Sequence, residues 1–201
     1  MEIIAVTDET QTIEELVETI VAIEPFVDRL IIRERFRKAH ELSDLYDRLI
    51  ENEVPRHKLV VHERVDLAML YDIRSVQLPY DSLSLKRAKA AFPTIHFGRS
   101  VHSVDEAKHA IEDGADALLF GHVFDTTSKS GLPPKGIQPL RQIAEQSSVP
   151  VYAIGGIDHD TVTQLLDLPI QGVAVRSGFF QADQPAKWAE RFARIVKERC
   201  E

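Results

Sequence analysis

Alternation constrains this chain more than any other feature. Short apolar or β-branched runs and amphipathic helical stretches follow one another from end to end at a spacing of roughly 25 residues, the pattern of a parallel sheet with crossover helices. The strand candidates are Ile3 to Val6, Arg29 to Ile32, Leu59 to Val61, Ser75 to Leu78, Thr94 to Gly98, Ala117 to Phe120, Val151 to Ile154 and Gly172 to Val175. Helical patterns lie near Ile13 to Ala22, His40 to Glu51, Val65 to Leu70, Leu83 to Ala91, Val104 to Glu112, Gln138 to Ala144, Thr161 to Leu166 and Pro185 to Lys197. Eight such units make an α/β (β/α)8 TIM barrel the simplest architecture, with a doubly wound open sheet as the alternative. The 201 residues, 44% of them hydrophobic, suffice for one substantial core, so residues 1–201 are expected to form one domain.

Composition narrows the partners. A formal charge of -8 with no long basic run argues against nucleic acid and anionic membranes and leaves a small molecule as the expected partner. Cys200 is the one cysteine, which excludes an intrachain disulfide and a cysteine-based metal cluster. The opening Met1 to Val6 lacks the basic start and long apolar core of a signal peptide, and a reduced, cytoplasmic setting is the expectation.

Local signals mark where loops end. Thr12-Ile13-Glu14-Glu15 and Ser103-Val104-Asp105-Glu106 each fit a capping box, with His102 as the structural lead-in to the second. His96 reads as a barrel-layer residue within its strand. In the last helix Trp188, Phe192, Ile195 and Val196 share an apolar stripe that closes the barrel.

In a parallel barrel the side chains just past the carboxyl ends of the strands line the active-site mouth. His122 stands there, after Gly121 at the end of an apolar strand, where an imidazole suits proton transfer; the competing reading is a satisfied core histidine. Glycine-containing turns follow the last two strands, at Gly155-Gly156 and at Arg176-Ser177-Gly178, where barrels commonly hold phosphate on backbone amides. Those glycines could equally serve tight turns alone. Arg33 and Arg35 fall on one side by period-two alternation and can grip a carboxylate or phosphate, or pair internally with Glu34 or a neighbouring helix. Residues 124–136 form a long polar flap in which Lys129 is a candidate anion contact. Carboxylates and histidines do not cluster at metal-ligand spacing, His62-Glu63 and Asp81 being the nearest approach, so no metal site is expected.

Ile32-Arg33-Glu34-Arg35, His62-Glu63-Arg64-Val65-Asp66-Leu67-Ala68, Gly98-Arg99-Ser100-Val101-His102-Ser103, Phe120-Gly121-His122-Val123-Phe124-Asp125-Thr126, Ala153-Ile154-Gly155-Gly156-Ile157 and Gly172 to Gly178 together resemble the thiamine phosphate synthase superfamily. The resemblance runs along nearly the whole chain in order and independently implies the (β/α)8 barrel.

Two activities occur in that superfamily. The synthase couples a pyrimidine diphosphate to a thiazole phosphate and holds magnesium with an Asn-Asp pair after the third strand and an acidic pair after the fourth. Here those places read His62-Glu63 and Asp81-Ser82, a set expected to hold a magnesium diphosphate poorly. The synthase usually carries proline at the place of His122, and Gly121-His122-Val123-Phe124 looks like the TenI-type thiazole tautomerases. That resemblance implies an isomerase aromatising a carboxythiazole ethylidene phosphate without cofactor. His122 would move the proton, Arg33 would face the carboxylate, Ser100, Gly121 and Lys129 would contact the ligand, and Gly155, Gly156, Arg176, Ser177 and Gly178 would hold its phosphate. Relatives imply a homodimer. The alternatives are a magnesium-dependent synthase and a non-catalytic barrel that senses a thiamine intermediate.

Overall fold

Strand parity decides what each side chain meets. In the computed structural model, which describes residues 1–126, 129 and 131–197, eight parallel strands close a barrel in sequence order. They are β1 Glu2–Val6, β2 Arg29–Ile32, β3 Leu59–His62, β4 Ser75–Leu78, β5 His96–Val101, β6 Ala117–Gly121, β7 Val151–Ile154 and β8 Gly172–Val175. The ring shuts where β1 pairs with β8, from Glu2 opposite Gly172 to Ala5 opposite Val175. Ile4, Val6, Ile31, Val60, Leu119, Tyr152 and Ala174 point inward and form a small core of their own. Their neighbours of opposite parity, such as Ile3, Ala5, Leu30, Ile32 and Phe120, join the larger core between sheet and helices.

Helices α1 Ile13–Ile23, α2 Ala39–Glu51, α3 Val65–Leu70, α4 Leu85–Ala91, α5 Val104–Glu112 and α6 Ile137–Gln146 follow strands β1 to β6 in turn. A single-turn α7, Ser177–Phe180, and α8, Pro185–Lys197, follow β8. The stripe on α8 packs as expected, Trp188 stacking on Phe192 with ring centroids 5.0 Å apart and Phe192 fully buried. At the amino end of the barrel Glu2 accepts hydrogen bonds from the Tyr152 hydroxyl (2.8 Å) and Gln171 Nε2 (2.9 Å), which closes that end with polar partners.

Three local expectations change. The segment Thr161 to Leu166 forms only a 3-10 turn, Thr161–Gln164: the Asp158 side chain caps its start by taking the backbone N–H groups of Asp160 and Thr161 (3.0 and 2.8 Å), but the turn closes through the Leu165 N–H to the Val162 carbonyl (2.9 Å) and goes no further. Strand β5 starts two residues later and runs three further than expected, since Val101 still pairs with Phe120; His96 thereby becomes an exposed residue at the amino rim. The capping box at Ser103 is split. Ser103 Oγ takes the Glu106 N–H at 3.1 Å, but the Glu106 carboxylate reaches one residue further back, to the His102 N–H at 2.8 Å. Thr12 and Glu15 complete their box in both directions. Cys200 and flap residues Thr127, Ser128 and Ser130 lie outside the described residues.

Candidate active site

Inward parity, continued past the strand ends, builds the site. Arg33 extends the row of Arg29 and Ile31, Arg176 that of Gly172 and Ala174, and His62, Gln77, Ser100 and Gly121 are the last inward positions of their strands. A cavity of about 510 Å³ opens at this carboxyl end, floored by Val6, Ile31, Leu119, Ile154 and Ala174. Of the predicted site residues, Arg33, Ser100, Gly121, His122, Lys129, Gly155, Gly156, Arg176 and Ser177 line it. Gly178 does not. A Cβ there would collide with the Trp188 indole, so this glycine lets α8 close on α7.

One wall is cationic. Glu9, on the loop after β1, accepts hydrogen bonds from Arg33 Nη1 at 2.6 Å and from the Arg35 backbone N–H, Nε and Nη2 at 3.0, 3.1 and 3.3 Å. Arg176 Nη2 stands 3.7 Å from the same carboxylate and donates to the Asp8 carbonyl at 2.9 Å. Burial alone would raise the Glu9 pKa, but the hydrogen bonds and charges of Arg35 and Arg33 outweigh it and hold the carboxyl below its ordinary value. Both expectations for Arg33 and Arg35 are therefore met in part: they share the mouth, and they pair internally. Their partner is Glu9, because Glu34 is taken by Arg37 at 2.8 Å.

The opposite wall is neutral and polar. Gln77, buried on β4, donates from Nε2 to Ser100 Oγ at 3.0 Å, and Gly98 leaves the space its side chain crosses. His62 stands beside this pair in register with Gln77. Burial strips water from its imidazolium, the Arg33 charge repels it, and its pKa falls to about 4, leaving a neutral ring at neutral pH.

His122 sits between the walls, 5% exposed. Its Nε2 lies 3.3 Å from the Leu132 carbonyl, which can only accept, so that contact places the proton on Nε2; Nδ1 is buried with no partner. The chain leaving β6 lies directly on the exit of β7, with Val123 N–H bonding Ile154 O and Phe124 N–H bonding Gly155 O, both at 3.0 Å. A Cβ on Gly155 would strike His122, one on Gly156 the Asp125 carbonyl, and one on Gly121 the Ile154 carbonyl. Close backbone approach is thus a demonstrated duty of these glycines.

Sequence reasoning missed several contributors. His102, taken as a structural lead-in, lines the cavity, with Nδ1 3.3 Å from Glu106 and Nε2 3.5 Å from Lys129 Nζ. Burial, and then the Lys129 charge, lower its pKa. Gln77 was reachable by extending strand parity one step, and His62, read from sequence only as part of a poor metal pair, lines the cavity as a neutral ring. Glu9 was not, since its position depends on a φ of +69° that no residue pattern announces.

The magnesium of the synthases can be tested against these donors. Among the described residues no three His, Cys, Asp or Glu side chains form a metal cluster. Glu63 and Asp81 nevertheless both line the mouth, and magnesium at phosphoryl sites is commonly bound by one or two carboxylates plus substrate oxygens. With two carboxylates and no third acidic or imidazole donor clustered beside them among the described residues, the mouth offers magnesium a sparse protein set, as the residues at these places lead one to expect, and an ion here would depend on oxygens of a bound diphosphate.

Comparison with known proteins places the chain. The family model described as thiamine monophosphate synthase (TMP-TENI) matches residues 3–179. A thiamine-phosphate synthase of Pyrococcus furiosus is 38% identical over 138 residues, 69% of this chain and 67% of that protein. That of Chloroflexus aurantiacus is 33% identical over 165 residues, 82% and 74% of the two chains. Among solved structures, a thiamine phosphate pyrophosphorylase from Pyrococcus furiosus superposes with a TM-score of 0.83 at 30% identity, covering 98% of this chain and 96% of that one. A 3-hexulose-6-phosphate synthase, TM-score 0.75 at 14% identity, shares the fold, covering 98% of this chain and all of its own. These findings correct the isomerase assignment: relatives at 30–38% identity carry the name of a synthase, a transferase, and the tautomerase-like Gly121-His122 motif does not outweigh them. The chain belongs to the thiamine monophosphate synthase family.

Proposed function

We propose that the chain is a transferase of the thiamine-phosphate synthase type, coupling a thiazole phosphate to the methylene carbon of a pyrimidine diphosphate. The thiazole nitrogen supplies the electron pair of the new C–N bond, the methylene C–O bond breaks, and inorganic diphosphate leaves with that bond's electrons. The observation that carries the reading is the cationic wall: Arg33, Arg35 and Arg176 meet one carboxylate, a surplus of two positive charges in a chain whose net charge is -8. Preorganised guanidiniums facing the leaving group stabilise the charge that develops as the C–O bond lengthens.

The other parts follow. Gln77, Ser100 and neutral His62 offer donors and acceptors to an uncharged aminopyrimidine ring. Gly155, Gly156 and Ser177 line the side of the mouth where the thiazole phosphate would rest on backbone amides. His122, which lines the mouth between the walls, would pack against the thiazole and orient it. A magnesium ion held by Glu63, Asp81 and the diphosphate would add neutralising charge at the leaving group. In this reading the partners are small phosphorylated substrates and a second copy of the chain in a homodimer.

The test is phosphorus NMR of the purified protein with both precursors and magnesium, and with each precursor alone. Diphosphate and coupled product should appear in equal amounts only when both are present. Binding of both precursors without coupled product at any magnesium concentration would overturn the reading.

A further inference from the structure

We propose that Glu9 is a positioning residue, whose carboxylate draws Arg33, Arg35 and Arg176 from the ends of two strands into one face shaped for a diphosphate. The proposal rests on the reading of this mouth as a site for a diphosphate ester and assigns a role to a residue outside the motifs that carry the family resemblance. Three observations support it. Glu9 adopts a φ of +69°, unusual for a residue with a side chain, and this conformation coincides with its contacts to the arginines. Its side chain is 9% exposed while that of Arg35 is 46% exposed, so the anion is the fixed member of the cluster and the cations come to it. Arg176 lines the same cavity as Arg33 and Arg35 while its Nη2 stands 3.7 Å from Glu9 and is held at 2.9 Å by the Asp8 carbonyl, so all three guanidiniums around this carboxylate border the ligand space.

The neighbouring acid cannot take this part. Asp8 is occupied by the Thr10 hydroxyl at 2.6 Å and Gln181 Nε2 at 2.7 Å, and meets Arg176 only through its backbone carbonyl. Without Glu9 the three guanidiniums would repel one another, and Arg35, already half in solvent, has room to swing away. With it, two net positive charges remain in a fixed geometry. A diphosphate, with oxygens on two phosphorus atoms, can engage guanidiniums from both strands together; orthophosphate uses the arrangement less.

The opposite role is a carboxylate that merely fills the ligand's place, and the two roles differ in sign. Calorimetric titration with inorganic diphosphate and with orthophosphate, on wild type, Glu9→Gln and Glu9→Asp, separates them. Glu9→Gln should weaken diphosphate binding about tenfold or more, lower the ratio of diphosphate to orthophosphate affinity, and leave Glu9→Asp between it and wild type. A purely structural loss would weaken both anions together. If Glu9→Gln does not fold, Glu9→Asp carries the test, with its shorter reach lowering the same ratio. Diphosphate binding by the variants equal to or tighter than wild type overturns the proposal for Glu9 alone. Failure of wild type to bind diphosphate overturns the reading of the mouth as well.

Discussion

His62 links one side chain to the behaviour of the whole fold. Its pKa is about 4 in the folded protein against an ordinary 6.5, because burial, and then the Arg33 charge, disfavour the imidazolium. Between those values the unfolded chain binds a proton that the folded chain refuses, so stability falls as the pH drops through this window. Glu9 and Glu2 work on the other side: their folded pKa values lie below 4.5, so their contribution is present above that value and fades as the pH falls through the lowered ones. Urea midpoints measured from neutral pH downwards should therefore begin to fall near pH 6.5. His62→Asn should make the profile shallower between about 6.5 and 4, leaving there the part due to His102, whose pKa is also lowered, and the loss below it. At this scale the sequence reveals residues whose place follows from parity, such as Arg33, Ser100 and Arg176. It conceals Glu9, whose place is set by a backbone conformation and by arginines 24 and 26 residues further along the chain.

At the scale of elements, the amphipathic helices and apolar strands are legible because burial on one face imposes a period that chance rarely supplies. What fails is local competition. After Thr161 the backbone closes a 3-10 bond, Leu165 N–H to Val162 O, in place of a continuing α-helix, and at Ser103 the Glu106 carboxylate has two N–H groups within reach and takes the outer one. Glycines pose a related problem, since one letter covers a turn, a close approach and a ligand cradle. Gly155 and Gly136 both have positive φ, +104° and +80°, but a Cβ on Gly155 meets His122 whereas one on Gly136 meets nothing within 4 Å. Both alanine variants pay for the backbone, on the order of 1 kcal/mol. Gly155→Ala should lose about 1–3 kcal/mol more, from displacement of the β6 exit, and chemical denaturation of the two variants side by side measures that difference. Equal losses would mean that the contact between the β6 and β7 exits relaxes freely.

For the whole molecule, the alternation of elements already specifies a barrel, and the barrel specifies which end carries the chemistry. Reaction type is less legible. A single imidazole past β6 points towards proton transfer, while the charged wall after β2 and β8 suits the departure of an anion, and the names of the relatives agree with the second. That wall assembles from segments more than 140 residues apart, Arg33 and Arg176 among them, so no motif of fixed spacing contains it. No helix among the described residues is long and apolar enough to cross a membrane. In the proposed reaction the arginines hold the diphosphate that leaves. Steady-state coupling by wild type and Arg33→Ala, each precursor varied in turn, tests this most directly. A loss of about 10²-fold in kcat/KM for the pyrimidine diphosphate, with the KM for thiazole phosphate little changed, is the predicted result; unaltered use of the diphosphate substrate by the variant would contradict it.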